Sequence, residues 1–390
     1  MLSTFRVLGL GAYLALVILG CSERSKPLPE RAPDSSAQNA ASGTPSTDPE
    51  KVLNVYNWSD HFGPSVIQEF EQEYGIRVNY DFFDSEELLE TKLLTGHTNY
   101  DVVFPDGSFL GRQIKAGVYQ KLDKPLLPNL KNLDPAVLLA EAVNDPGNEY
   151  AIDYLWLITT GIGYDVAKIK ARMADAPVDS WRMFYDPTVL AKFQDCGVAV
   201  LDSPLDVVST VFAFLGKDPN SESSADLKAA EQVMLSIRPY VRMIDSRRLD
   251  DALANGDICL ALGWSGQMTR ARDRASEARQ GAQIAFSIPK EGTITTSDTI
   301  AIPADAPHPR NAHLFINYLL RPEVAAKNTN LIRYANPVVA SAALVAPELL
   351  NDPAIYPQPD ARARLTPLRA KSLEFTRQMM RTWTRFKTGK

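Results

Sequence analysis

The chain has 390 residues, of which 45% are hydrophobic and 23% charged, and its formal net charge is −6. That length exceeds what one small core needs, so two domains are expected. The acidic balance excludes a nucleic-acid partner, which calls for a basic surface, and is compatible with cationic ligands without selecting them.

At the N-terminus, Arg6 supplies a short basic region and Val7 to Gly20 is almost free of polar groups. An apolar run of that length suits the core of a signal peptide and is short for a membrane span. It ends in Ile18-Leu19-Gly20-Cys21, which resembles a bacterial lipobox whose Cys21 becomes acylated. The alternative is an ordinary signal peptide that happens to contain Cys21. A lipid there tethers a soluble domain without a spanning helix. Residues 1–20 are thus read as the signal peptide. Residues 21–50, rich in Ser, Pro, Ala, Asp and Asn, are read as a linker, because they cannot bury enough apolar area to fold. A flexible coil of that size reaches roughly 30 Å.

From Lys51 the pattern alternates between strand and helix. Val52 to Tyr56 reads as a strand, Pro64 to Tyr74 as a helix, Val78 to Phe83 as a strand and Glu86 to Leu94 as a helix. Tyr100 to Phe104 is strand-like and is stopped by Pro105-Asp106-Gly107, after which a helix runs to Ala116. A second set follows Ile158 to Tyr164: strands at Gly197–Leu201 and Ile258–Gly263, and a helix from Asp206 to Leu215. Thr299 to Ile302 reads as a crossing strand, with helices at Ala312–Leu320 and Pro322–Thr329 beyond it. Strands separated by helices imply parallel sheets with covering helices, and ligands bind such sheets beyond the carboxyl ends of the strands. Trp58-Ser59-Asp60 and Asp106-Gly107-Ser108 both fall at such ends. Nothing past Gly20 is long and apolar enough to span a bilayer.

Two cysteines remain, Cys196 and Cys259. In an oxidising compartment the pair reads as a disulfide, the alternative being two buried thiols. The four histidines lack metal-ligand spacing, so neither a metal nor a cofactor is expected. Gly-x-Ser-x-Gly, a P-loop and a dinucleotide fingerprint are absent, and Gly161-Ile162-Gly163 is no nucleotide signal. What stands out is Trp and carboxylate residues at strand ends with few cations nearby. An aromatic face with a carboxylate suits an ammonium, although a Trp after a strand is usually core and an Asp there usually caps a helix.

Several segments together resemble one family. They are Val55-Tyr56-Asn57-Trp58-Ser59-Asp60, Thr160-Gly161-Ile162-Gly163-Tyr164, Ala254-Asn255-Gly256-Asp257-Ile258-Cys259, Phe286-Ser287-Ile288-Pro289-Lys290-Glu291-Gly292 and Asn317-Tyr318-Leu319-Leu320-Arg321-Pro322-Glu323. The chain from Val52 to Lys390 is similar to the periplasmic putrescine/spermidine-binding proteins of ABC importers. The resemblance implies an α/β, two-lobed type II periplasmic binding protein fold, each lobe a mixed, mostly parallel sheet with flanking helices, joined by a hinge. The lobes are expected at 51–158 with 297–345 and at 159–296 with 346–390. It also implies a Cys196–Cys259 disulfide and no catalysis.

Carried over residue by residue, the family's site falls on Trp58, Ser59, Asp60, Ser108, Asp206 (where the family usually has Glu, so the charge is kept and the reach is one methylene shorter), Trp264, Asp298 and Tyr334. Three positions depart from the putrescine-type pattern. Gln267 stands where an Asp is usual, Thr296 where an aromatic ring packs on the ligand, and Asp106 where a small polar residue is usual. These changes keep the cleft acidic, enlarge it and rebuild one end. The ligand expected is a polyamine or related cation of the putrescine, agmatine, cadaverine or spermidine class. The expected partner is an inner-membrane ABC permease; the protein is expected to be monomeric, periplasmic and membrane-attached only through its lipid. A polyamine-sensing lipoprotein is the alternative reading.

Overall fold

The computed structural model describes residues 47–389 except Asp60, Asp84 and residues 279–281. Contacts divide the chain into Met1–Thr44 and Pro45–Lys390, and all the described residues belong to the second unit. The signal peptide, Cys21 and most of the expected linker therefore lie outside the described residues. The last linker residues are tied to the domain. Asp48 and Asn311 exchange two hydrogen bonds of 3.0 and 2.9 Å, and the Asn311 amide donates to Glu50 O.

Among the described residues ten strands run in chain order: β1 (Val52–Trp58), β2 (Arg77–Phe83), β3 (Val102–Val103), β4 (Ala151–Asp165), β5 (Val198–Val200), β6 (Met243–Ile244), β7 (Leu260–Trp264), β8 (Ile284–Ser287), β9 (Thr293–Ala301) and β10 (Leu365–Pro367). β1 pairs in parallel with β2 and β3, and β5 in parallel with β6 and β7. Two long antiparallel strands join these sets, giving the order β2-β1-β3-β9-β4-β7-β5-β6. The sheets are thus mixed, with a parallel half on each side.

Local chemistry explains the units. β1 alternates buried and half-buried positions, and Leu53 and Val55 enter the core. The helix Pro64–Tyr74 buries Val66 and Phe70 on one face and closes at Gly75, whose φ of 63° suits a residue without a Cβ. Two expected strands differ in extent. Only Val102–Val103 forms β3, because Asp101 is engaged as an acceptor from Asn54 N and His308 N, and Pro105 ends the run. β9 begins at Thr293, six residues before the expected Thr299. Its first half is a run of β-branched Thr without the apolar alternation that marks a strand.

β4 and β9 carry the chain between the halves. β4 pairs with β9 as far as Thr159 and with β7 from Thr160 onward. Its register slips between Asp153 and Ile158, where Leu157 adopts a φ of 54°. One apolar core, including Phe184, Phe193, Leu260, Phe375 and Trp383, lies on the β5–β7 side. Another, including Leu53, Val55, Phe70, Ile300 and Phe315, lies on the β1–β3 side. Trp264 packs against both. Val345, Leu349 and Ile355 pack with Ala326 and Ala335, near the helix Pro322–Ile332, so the chain stays with the β1–β3 half past residue 345. It crosses only where β10 joins β9. A Cys196–Cys259 disulfide ties the entry of β5 to that of β7. Among the described residues no helix is long and apolar enough to cross a membrane.

Candidate ligand-binding cleft

The cleft forms where strand ends from both halves meet. β1 delivers Trp58, and the turn after β3 delivers Asp106 as the N-cap of the helix Gly107–Lys115. Asp106 Oδ1 accepts from Ser108 N at 2.7 Å and Ser108 Oγ at 2.5 Å, so this side chain is both cap and cavity wall. An isolated antiparallel bridge sets Asp106 against Asp298 of β9. From the other half, Asp206 sits in the first turn of the helix Pro204–Phe214. Its Oδ1 accepts from Thr160 Oγ1 at 2.7 Å and from Trp264 Nε1 at 3.0 Å. Asp206 therefore orients the Trp264 ring, whose centroid lies 6.4 Å from that of Trp58 in an edge-on arrangement. Gly266 admits the Tyr334 ring, since a Cβ there would lie 2.3 Å from Tyr334 Cζ.

The enclosed space, mouth included, is about 680 Å³. Its described lining carries the carboxylates Glu86, Glu87, Asp106, Asp202, Asp206 and Asp298, and no Lys or Arg. Burial, then the charge of Asp106, pushes Glu86 well above the usual carboxylate range. Burial, then the charge of Asp298, pushes Asp106 up to about 7. Behind them Glu141 and Asp153 are raised to about 9 and about 7, chiefly by burial. Asp298 Oδ2 has no hydrogen-bond partner; His61 Nδ1 is 3.0 Å away without hydrogen-bond alignment. Glu86 and Asp106, buried beside other carboxylates, are thus pushed toward the protonated form, which an entering ammonium would reverse.

Of the residues expected at the site, Trp58, Asp106, Ser108 and Asp206 line this cavity, as do Trp264, Thr296, Asp298 and Tyr334. Ser59 and Gln267 instead line an adjoining chamber that shares Trp58, His61, Trp264 and Tyr334 with it. Asp60 lies outside the described residues. His61, Glu86, Phe109, Ile158 and Leu368 also line the cavity and were not anticipated. Glu86 had a usable signal, being the first residue of a helix after a strand, as Asp106 nearly is. His61 follows directly on Trp58-Ser59-Asp60. Leu368, from the segment after β10, had no local signal.

A two-lobed α/β domain with an acidic, aromatic cleft between strand ends defines an extracytoplasmic solute-binding protein rather than an enzyme. The profile of the bacterial extracellular solute-binding proteins matches residues 65–357, and the chain belongs to that family. It is 47% identical over 343 residues to the putrescine-binding periplasmic protein PotF of Escherichia coli (strain K12), covering 87% of this chain and 92% of that protein. A putrescine/agmatine-binding protein of Pseudomonas aeruginosa is 41% identical over 86% of this chain and 92% of its own length. Among solved structures, a putative spermidine/putrescine ABC transporter protein from Listeria monocytogenes superimposes with a TM-score of 0.79 at 29% identity, over 87% of this chain and all of that one.

Proposed function

We propose that this protein captures a small organic cation of the polyamine class between its lobes and delivers it to an ABC permease, acting as a monomer held to the membrane by a lipid on Cys21. The observation that carries the reading is the cavity with six carboxylates and no Lys or Arg among its described lining residues. The names of the relatives, one a putrescine-binding and one a putrescine/agmatine-binding protein, support the same ligand class.

Closure follows from the charges. Asp298 and Asp106 belong to the β1–β3 half, and Asp206 and Asp202 to the other. Bringing the halves together without a cation gathers like charges in a medium of low dielectric, which disfavours the closed state. An ammonium turns that repulsion into attraction, so the ligand favours closure because it contacts both halves only there. The hinge is assigned to β4 near Leu157–Thr160 and to β9 near Thr295–Ser297. The Trp58 and Trp264 rings flank the ligand, contributing cation–π contact as water leaves. Thr296 and Leu368 leave room where a ring would otherwise pack. Calorimetric titration of the purified protein with putrescine, cadaverine, agmatine and spermidine tests the reading. Binding of at least one at about micromolar Kd or tighter is expected, and silence across the panel would overturn it.

A further inference from the structure

The two chambers that meet at Trp58 and Trp264 differ in kind. The larger is anionic, as described above. The smaller, about 390 Å³ with its opening, is lined by Ser59, Ser246 and Gln267, with Arg247 and Arg270 on its wall, and by no carboxylate among its described residues. Arg270 is ion-paired at 3.3 Å to buried Asp250, which also pairs with Arg274, so this chamber, unlike the larger one, presents guanidinium groups and no carboxylate among its described lining residues.

Two polar atoms in it are unsatisfied. Gln267 Nε2 donates to Ser246 O at 2.7 Å, which fixes the amide, since a flip would set two carbonyl oxygens together. That leaves Gln267 Oε1, on a side chain 94% buried, without a donor. The indole Trp58 Nε1 is a buried donor without an acceptor. An orphan acceptor and an orphan donor on residues that line one chamber ask for a group that both gives and takes a hydrogen bond, as buried polar atoms otherwise stay unpaired at a cost. An ammonium offers only donors and would sit beside two guanidinium groups. A carboxylate offers only acceptors and would face Gln267 Oε1. A primary or secondary amide offers both.

We propose that the preferred ligand is a monocation carrying an ammonium at one end and an uncharged amide at the other, that is, a diamine acylated or carbamoylated on one nitrogen. This deepens the polyamine reading and rests on it. The ammonium lies among Asp106, Asp206 and Asp298, the methylene chain runs alongside the Trp58 and Trp264 rings, and the amide N–H donates to Gln267 Oε1 while its carbonyl accepts from Trp58 Nε1.

The test is a calorimetric ranking at fixed pH and salt of putrescine, N-acetylputrescine, N-carbamoylputrescine and 4-aminobutyrate against the wild-type protein and against Gln267→Glu. The wild type should bind one of the two amide ligands at least tenfold more tightly than putrescine, with 4-aminobutyrate weakest. Gln267→Glu, nearly isosteric and now anionic, should shift the ranking toward putrescine by tenfold or more. Tighter or equal binding of putrescine by the wild type would overturn the proposal while leaving the polyamine reading intact. Failure of every cation to bind would remove both. The wild-type ranking needs no variant, so poor folding of Gln267→Glu does not shield the proposal.

Discussion

Asp298 shows how one residue couples ligand capture to the state of the empty protein. It is almost fully buried, one carboxylate oxygen lacks a hydrogen bond, and Asp106 lies across a single bridge from it. Asp298→Asn removes the counter-charge for an ammonium, so calorimetry should show affinity falling by about 3 kcal/mol or more. The same change relieves the crowding of Asp298 against the Asp106 carboxyl across the bridge, so the ligand-free variant should melt higher than the wild type. A variant that loses both affinity and stability would mean that Asp298 is structural. Trp264→Ala should weaken binding by about 1–3 kcal/mol through lost burial and cation–π contact, whereas unchanged affinity would place the ring in the core alone. Trp264→Phe keeps the ring but loses the bond to Asp206, and should fall between the two. At this scale the site was legible mainly through resemblance: periodicity alone marks Trp58 and Asp106 as strand-end residues but not as ligand contacts. His61 and Leu368 were illegible because they reach the cavity through tertiary placement, and no local pattern encodes that.

At the scale of elements, the parallel halves were readable because apolar alternation and helical spacing switch cleanly from Val52 to Lys115. The crossing strands were harder. β9 opens on polar Thr, and β4 runs as one strand of 15 residues through what reads as a boundary. Their length lets one strand serve two sheets, placing Thr159 beside Thr295 while the next residue, Thr160, faces Trp264. Gly161 lets β8 approach, since a Cβ there would lie 2.6 Å from Ser287 O. The Gly161-Ile162-Gly163 fragment is thus a packing device. The Cys196–Cys259 bond closes a loop with a sequence separation of 63 residues. On the chain-entropy view it contributes about 4 kcal/mol. Replacing both cysteines by Ser should lower stability by about that amount in denaturant titration. The loss should leave ligand affinity nearly unchanged, because neither sulfur lines the cleft.

For the molecule as a whole, the buried acids make stability depend on pH in an unusual sense. Asp106 and Asp153 are raised from 3.8 to about 7, and Glu141 from 4.5 to about 9. Between their unfolded and folded values the folded state holds more protons than the unfolded chain, so this contribution to stability falls as pH rises. It is complete below about pH 4 and lost progressively through about pH 7 and on toward 9. Scanning calorimetry of the ligand-free protein should therefore show the melting temperature declining from pH 5 to 8. The increment added by a bound cation should grow over the same interval, because the cation favours the ionised acids. A melting temperature that rises with pH throughout would contradict this picture of the cleft. The central claim, that the cleft selects positive charge, is tested most directly by calorimetric comparison of the cation found to bind with the uncharged analogue in which hydroxyl replaces each ammonium. The account predicts binding of the cation and no measurable heat from the analogue. Comparable binding of the two would contradict it.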